Sequence, residues 1–432
     1  MHNLLNKIIG FVLIVFCIIH SIILLKTDDI NNSKQMISNI ANASSSNNKL
    51  EDNKSDSNLE TMIVFHNIEA VRNNYRLKTG MTVQTTGYYK NNDGGTALYT
   101  IRDKKTDDVD NDGNIIFLNN GKVAELITDG KINVRQFGAV GDGIIDDTKA
   151  IKRAIAFGNT IVFSKGKYLI NETLELKNKT LIGISQSRGN ETVILSKANT
   201  ALHLKSYNSL NNITVSRKEF PGGRDSSKGI WLEGVFNRLN NVNVYNHAIG
   251  IYMMNDSKGC SYNHIVDGVL LNCFEGIYMI AKKRGWVNEN TFQNINIRFN
   301  GSFYKHIDGL SNSSDIKDRF AVTMTHSEDA IHQINMNKFL CLNMEGCYNG
   351  FSVSAANCVF LSNRTEGNKI GYYFKDHGDG VRQTKSFKTR SNIIISGVIR
   401  NIKQDGDVNR EPRMYNTVEG TMILPAKDTG IQ

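Results

Sequence analysis

Two short segments one repeat apart carry acidic and basic groups at matching positions. Asn343-Met344-Glu345-Gly346 leads into Gly350, and Arg364-Thr365-Glu366-Gly367 leads into Gly371. Glu345 and Glu366 each stand five residues before their glycine, and Asn343 and Arg364 stand two residues before the glutamates. On adjacent turns of a stacked chain the two carboxylates would sit about 5 Å apart. Two acids at that distance do not both ionise cheaply, so one becomes a general acid and the other a nucleophile or base. Strand alternation places Leu340, Leu342 and Met344 inward and turns the glutamates, Phe339 and Phe360 outward, where the rings can stack on sugar faces. Arg364 can pair with an acidic sugar, and Asn343 shares its face. No cofactor is called for with certainty; Ca2+ is the alternative occupant of the carboxylate pair. The plain alternative is a solvated Glu–Arg ladder, a common and weak surface feature.

A second patch reads Lys282-Lys283-Arg284-Gly285-Trp286-Val287-Asn288-Glu289-Asn290. Lys283 or Arg364 is a candidate base for lysis, Glu289 a candidate acid and Trp286 a sugar platform. Arg284 can engage carboxylates or phosphates of a polymer. Asp267 and Glu275 belong to the preceding turn and are candidate substrate contacts. The patch should protrude as a loop or edge, and a basic surface loop with a packing Trp is its plain reading. His326-Ser327-Glu328-Asp329 with His332 forms neither a triad by sequence alone nor a standard zinc spacing.

The elements that must hold these groups are read from a repeating phrase. Lys228-Gly229-Ile230-Trp231-Leu232 recurs as Ile249-Gly250-Ile251-Tyr252-Met253, then as Glu275-Gly276-Ile277-Tyr278-Met279, Asn349-Gly350-Phe351-Ser352-Val353 and Ile370-Gly371-Tyr372-Tyr373-Phe374. Gly301-Ser302-Phe303 is a weaker copy. Such self-similarity without a helical period marks a solenoid. The chain holds only 3 prolines, as stacked strands need their N–H groups. Asn between short apolar runs tolerates the left-handed corners of a coil. The fold class expected is all-β, a parallel β-helix over 131–403. Residues 146–157 form a short capping helix whose apolar face is Ala150, Ile151, Ala154 and Ile155. Asp146 or Asp147 starts it.

Asn133 to Ile155 reads NVRQFGAVGDGIIDDTKAIKRAI. This resembles the entry segment of the right-handed parallel β-helices of the pectate-lyase superfamily and of phage tailspikes. Leu77–Asp103 is similar to a module found before such helices, and the resemblance spans roughly 75–400. It implies the right-handed coil and a carbohydrate-related role. The scaffold carries lyases, hydrolases, epimerases and non-catalytic fibres alike. The NTD…DD…GHG set of polygalacturonases and the RxPxxR of calcium-dependent pectate lyases are not evident, which weakens both of those activities. Trimers are common among tailspikes, so a trimer stays open.

The remaining segments place the body. Ile8–Leu25 is an uncharged apolar run at the lower edge of a membrane span. It reads as an uncleaved signal anchor (1–26) with the body outside the cytoplasm, giving a single-pass protein of the cell membrane. Residues 27–60 are an Asn/Ser-rich linker too polar to fold. Residues 61–130 alternate in short runs broken by Asn92-Asp93-Gly94-Gly95 and Asp112-Gly113, as in a small β-rich module. Residues 404–432 form a C-terminal cap or tail. The chain carries a formal charge of +9, concentrated beyond the linker. An acidic polysaccharide is the partner expected, and nucleic acid is not. The 6 cysteines lack metal spacing and read mostly as buried thiols. The function expected is degradation or modification of an acidic polysaccharide by a lyase or glycoside hydrolase. A non-catalytic glycan-binding or structural surface protein is the rival.

Overall fold

Apolar residues that recur once per turn can be buried only if each turn lies on the last. The computed structural model shows this arrangement. It describes residues 62–184, 191–218, 226–299, 320–374 (apart from 346, 348, 366, 367 and 369), 392–399, 402–404, 416–419 and 422–423. The phrases form one sheet, nine parallel strands among the described residues. In it Leu202, Ile230, Ile251, Ile277, Val322, Phe351 and Tyr372 stand in register. All seven are buried. A second, longer sheet carries the runs between phrases, where Leu210, Leu239, Ile265, Phe292, Phe339, Phe360 and Ile394 form the facing column. The two columns close one continuous core.

Asparagine does two jobs at the corners. Asn212, Asn241, Asn246, Asn272 and Asn294 take left-handed backbone, which their short side chains tolerate better than most. Asn208, Asn237, Asn263, Asn290 and Asn337 instead point inward and form a ladder. Each backbone N–H and Nδ2 donates to the Oδ1 of the next, at 2.9–3.0 Å. Buried corner N–H groups that no strand could satisfy are thereby paired.

Two expectations are corrected. Phe339 and Phe360 do not face outward. Both are fully buried; Phe339 stacks between Phe292 and Phe360 in the core, at 5.1 and 5.2 Å. Cys341 follows Phe339 and Ser362 follows Phe360, with φ of 56° and 53°, and a left-handed residue breaks the period-two alternation. Leu340 is therefore half-exposed, whereas Leu342 and Met344 point inward and Glu345 outward. The second correction is the repeat after Gly276. Its ladder partner is not Gly301 but Ala321, because Ile277 pairs with Val322 in the strand Phe320–His326. Gly301 lies outside the described residues.

The N-terminal strands form a separate five-stranded sheet. Thr82–Thr85 pairs antiparallel with Ala97–Asp103, and Ile115–Phe117 with Lys122–Ile127. The Asp93 carboxylate ties the first turn by accepting from the N–H groups of Tyr88, Tyr89, Lys90 and Gly95. The helix Thr148–Phe157 buries Ala150, Ile151, Ala154 and Ile155. Asp146 accepts from the Thr148 N–H at 3.0 Å. Asp147 turns into the FGAVGDG loop instead, accepting from Val140 and Gly141 at 2.6 and 3.0 Å. Residues Asn416–Glu419 and Met422–Ile423 pair in parallel with Asn392–Ile399. The body cysteines are free thiols, all buried except Cys341. The apolar run 8–25 lies outside the described residues. Among the described residues no helix is long and apolar enough to cross a membrane.

Candidate functional site

The outer face of the phrase sheet gathers the groups best suited to chemistry. Alternation turns one residue per phrase outward, giving the register column Glu175, His203, Trp231, Tyr252, Tyr278 and Thr323. His203 and Trp231 stack at 4.0 Å. Tyr252 and Tyr278 stack at 5.9 Å, and the Lys228 ammonium lies 5.2 Å from the Tyr252 ring centre. Trp231 Nε1 donates to the Met254 carbonyl at 3.0 Å, which fixes the indole.

His203 heads this column between two carboxylates. Its Nε2–H donates to Glu233 Oε2 at 2.7 Å, and Lys205 Nζ donates to the same oxygen. Its Nδ1 faces Glu175 Oε1 at 3.7 Å. Burial, helped by the Lys205 cation, holds the imidazole below its ordinary value despite Glu233. With Glu233 as a carboxylate, Nε2 carries the ring proton, which leaves Nδ1 as the acceptor nitrogen of the neutral ring. A base oriented by a carboxylate on its far nitrogen is the arrangement proton transfer requires. Glu175 is 70% exposed. Further along the same face Glu275 accepts from Thr323 Oγ1 at 2.5 Å.

Sequence comparison gives this scaffold a family. A family model described as rhamnogalacturonase A/epimerase, pectate lyase-like, matches residues 131–354, more than half of the chain. The chain belongs to that family. Comparison with curated proteins finds no match. Among solved structures, the tailspike gp49 of Acinetobacter baumannii bacteriophage Fri1, a capsular polysaccharide depolymerase, is 13% identical. That match covers 84% of this chain and 76% of the tailspike with a TM-score of 0.50. Tailspike protein 2 of Escherichia coli O157:H7 bacteriophage CAB120 is 14% identical over 86% of this chain and 51% of its own, TM-score 0.48. WceF of Pantoea stewartii, a glycan biofilm modifying enzyme, is 12% identical over 83% and 52%, TM-score 0.40.

The residues singled out from the sequence fall elsewhere on this pectate lyase-like body. Asn343 and Arg364 are in register on the long sheet, as the repeat alignment expects. Asn343 donates from Nδ2 to Asn296 Oδ1 at 3.0 Å. Glu345 is exposed and pairs with Arg298 at 3.5 Å, and Glu366 lies outside the described residues. The 282–290 patch does not protrude freely. Trp286 bridges to Gly259 on the preceding turn, and its Nε1 would lie 2.6 Å from any Cβ there. Lys283 Nζ pairs with Asp256 at 2.9 Å, and the Arg284 N–H donates to the Asp256 carbonyl at 3.1 Å. Glu289 accepts from the Tyr262 hydroxyl. Asp267 takes a left-handed corner and accepts from Asn294 at 3.1 Å. His326 is buried, its Nε2 accepting from the Ile334 N–H at 3.1 Å. Among the described residues no group of His, Cys, Asp and Glu is placed to hold a metal ion.

Of the described sequence candidates, only Glu275 lies on the face that carries His203. That face was hidden because Thr200-Ala201-Leu202-His203-Leu204 is a phrase with Ala at the glycine position. The aromatic at the fourth phrase position, in Trp231, Tyr252 and Tyr278, was the signal that could have revealed it.

Proposed function

We propose that this protein cleaves an acidic polysaccharide on the outer face of its phrase sheet, with His203 as general base. The observation that carries this reading is His203, hydrogen-bonded to Glu233 at 2.7 Å, at the head of an aromatic column. Half-exposed Trp231, Tyr252 and Tyr278 give a polymer an aromatic track. In β-elimination from a uronate, Nδ1 takes the proton beside the sugar carboxyl. The electron pair forms the ring double bond, and the glycosidic C–O bond breaks. The leaving oxygen takes its proton from water, and the imidazolium returns the sugar proton to solvent. The family description names a rhamnogalacturonase, an epimerase and pectate lyase, so it supports a carbohydrate role without choosing the chemistry. The apolar run 8–25 supports a tether that holds the body outside the cytoplasm.

The test incubates the full-length chain, wild type and His203→Gln, with acidic and neutral polysaccharides while chain length and unsaturated-uronate absorbance are followed. Shortening with new absorbance, reduced about 100-fold or more in the variant, is expected. Shortening without absorbance assigns hydrolysis instead. Binding with no shortening on any polymer would move the assignment to a non-catalytic glycan-binding protein.

A further inference from the structure

A second site lies on a different face, at the corner that leads into the long sheet. Tyr207, Phe236 and Tyr262 occupy equivalent corners of three successive turns and are 60%, 48% and 45% exposed. Their rings stack at 5.5 and 5.1 Å with interplanar angles of 17° and 10°. All three have left-handed backbone, with φ of 62°, 58° and 58°. Bulky aromatics are poorly suited to this conformation. Among the described residues Asn fills eight of the other fifteen non-glycine left-handed positions. Three exposed rings at strained corners, one above another, point to a use beyond turning the chain.

The rings form one wall of a cleft of ≈ 550 Å³, and Ser209, Arg238 and His264 form the other. Arg238, His264, Thr291 and Lys338 are in register, which sets two cations, Arg238 and Lys338, roughly 14 Å apart along the helix axis. Arg238 and Lys338 make no ion pair among the described residues. The stack also limits what can bind. Its ring faces are spent on one another, so a nucleobase cannot insert between them. What the wall presents is ring edges and the Tyr207 hydroxyl, while the Tyr262 hydroxyl is held by Glu289. Ring edges are the positive part of the aromatic quadrupole. Together with the facing cations they favour an anionic, hydroxyl-rich chain.

We propose that this cleft is a second carbohydrate-binding site, taking an acidic polysaccharide strand parallel to the helix axis and separate from the His203 face. The site holds polymer; it does no chemistry. The test measures binding of the full-length chain to immobilised uronate-bearing and sulfated oligosaccharides, with neutral oligosaccharides and single-stranded DNA as controls. Phe236→Asn removes the central ring while supplying the residue the chain prefers at such corners. It should bind at least 10-fold more weakly with an unchanged or higher Tm, and Arg238→Ala should weaken binding similarly. His203→Gln should bind at the cleft as wild type does, so failed cleavage and a failed cleft are told apart. Undiminished binding by Phe236→Asn, a lowered Tm in that variant, equal binding of DNA or neutral sugar, or no acidic glycan bound by wild type would each overturn the proposal.

Discussion

His247 is a histidine in the core with neither ring nitrogen hydrogen-bonded among the described residues. Burial pushes its imidazole down to about 3, against about 6.5 in an unfolded chain. Because the folded value is the lower one, the unfolded state binds the extra proton. Stability is therefore full above pH 6.5 and falls as pH drops toward 3, by up to about 4 kcal/mol. His247→Leu should flatten that acid limb. Asp147 acts in the opposite sense. Burial pushes its carboxyl up to about 6 even though two backbone N–H groups donate to it. Its contribution is full below the ordinary carboxylate value and is lost as pH rises through about 6, costing about 3 kcal/mol. Asp147→Asn should remove this dependence. Urea unfolding at pH steps from 3.5 to 7 measures both, and unchanged slopes in the variants would refute the assignments.

At the scale of the element, the asparagine ladder is the part most sensitive to a single change. Asn263 accepts from the backbone N–H and Nδ2 of Asn237 and donates to the Gly234 carbonyl and Asn290 Oδ1. Asn263→Leu leaves buried donors on one turn and acceptors on the next unpaired, each costing about 1–3 kcal/mol. A loss of at least about 3 kcal/mol in denaturant unfolding is expected, and a near-neutral variant would show that water replaces the ladder. The ladder was only half legible in the sequence. Abundant Asn at corners was readable, because the residue type announces left-handed turns. Which asparagines turn the chain and which point inward was not, since Asn212 and Asn208 look alike in isolation.

For the whole molecule, Arg135 ties the N-terminal sheet to the first coil. Its Nη1 donates to the Asp93 carbonyl at 2.9 Å, its Nη2 to the Lys165 carbonyl at 3.0 Å and its Nε to the Tyr168 hydroxyl at 3.2 Å. The N-terminal sheet and the coil share one core, so this residue closes a seam within one body. Arg135→Ala should raise amide hydrogen exchange at 88–96 and 164–168 and cost about 1–3 kcal/mol. Uniform exchange across the chain would place the seam's stability in the apolar contacts instead.

The sequence alone determined that this chain stacks parallel strands. A phrase repeated with the same apolar positions has no other way to bury each copy, and three prolines in the whole chain leave the ladder N–H groups intact. It also determined the opening helix, whose buried residues are those its spacing marks. Tertiary structure decided which side chains face out and which meet. Two left-handed residues, Cys341 and Ser362, reverse the alternation on successive turns and leave Phe339 and Phe360 in the core. His203 meets Glu175 and Glu233 from neighbouring turns, and Tyr207 meets Phe236 and Tyr262 in the same way. Such pairings depend on the register of one turn over another, which the number of residues in each intervening loop sets and no local pattern records.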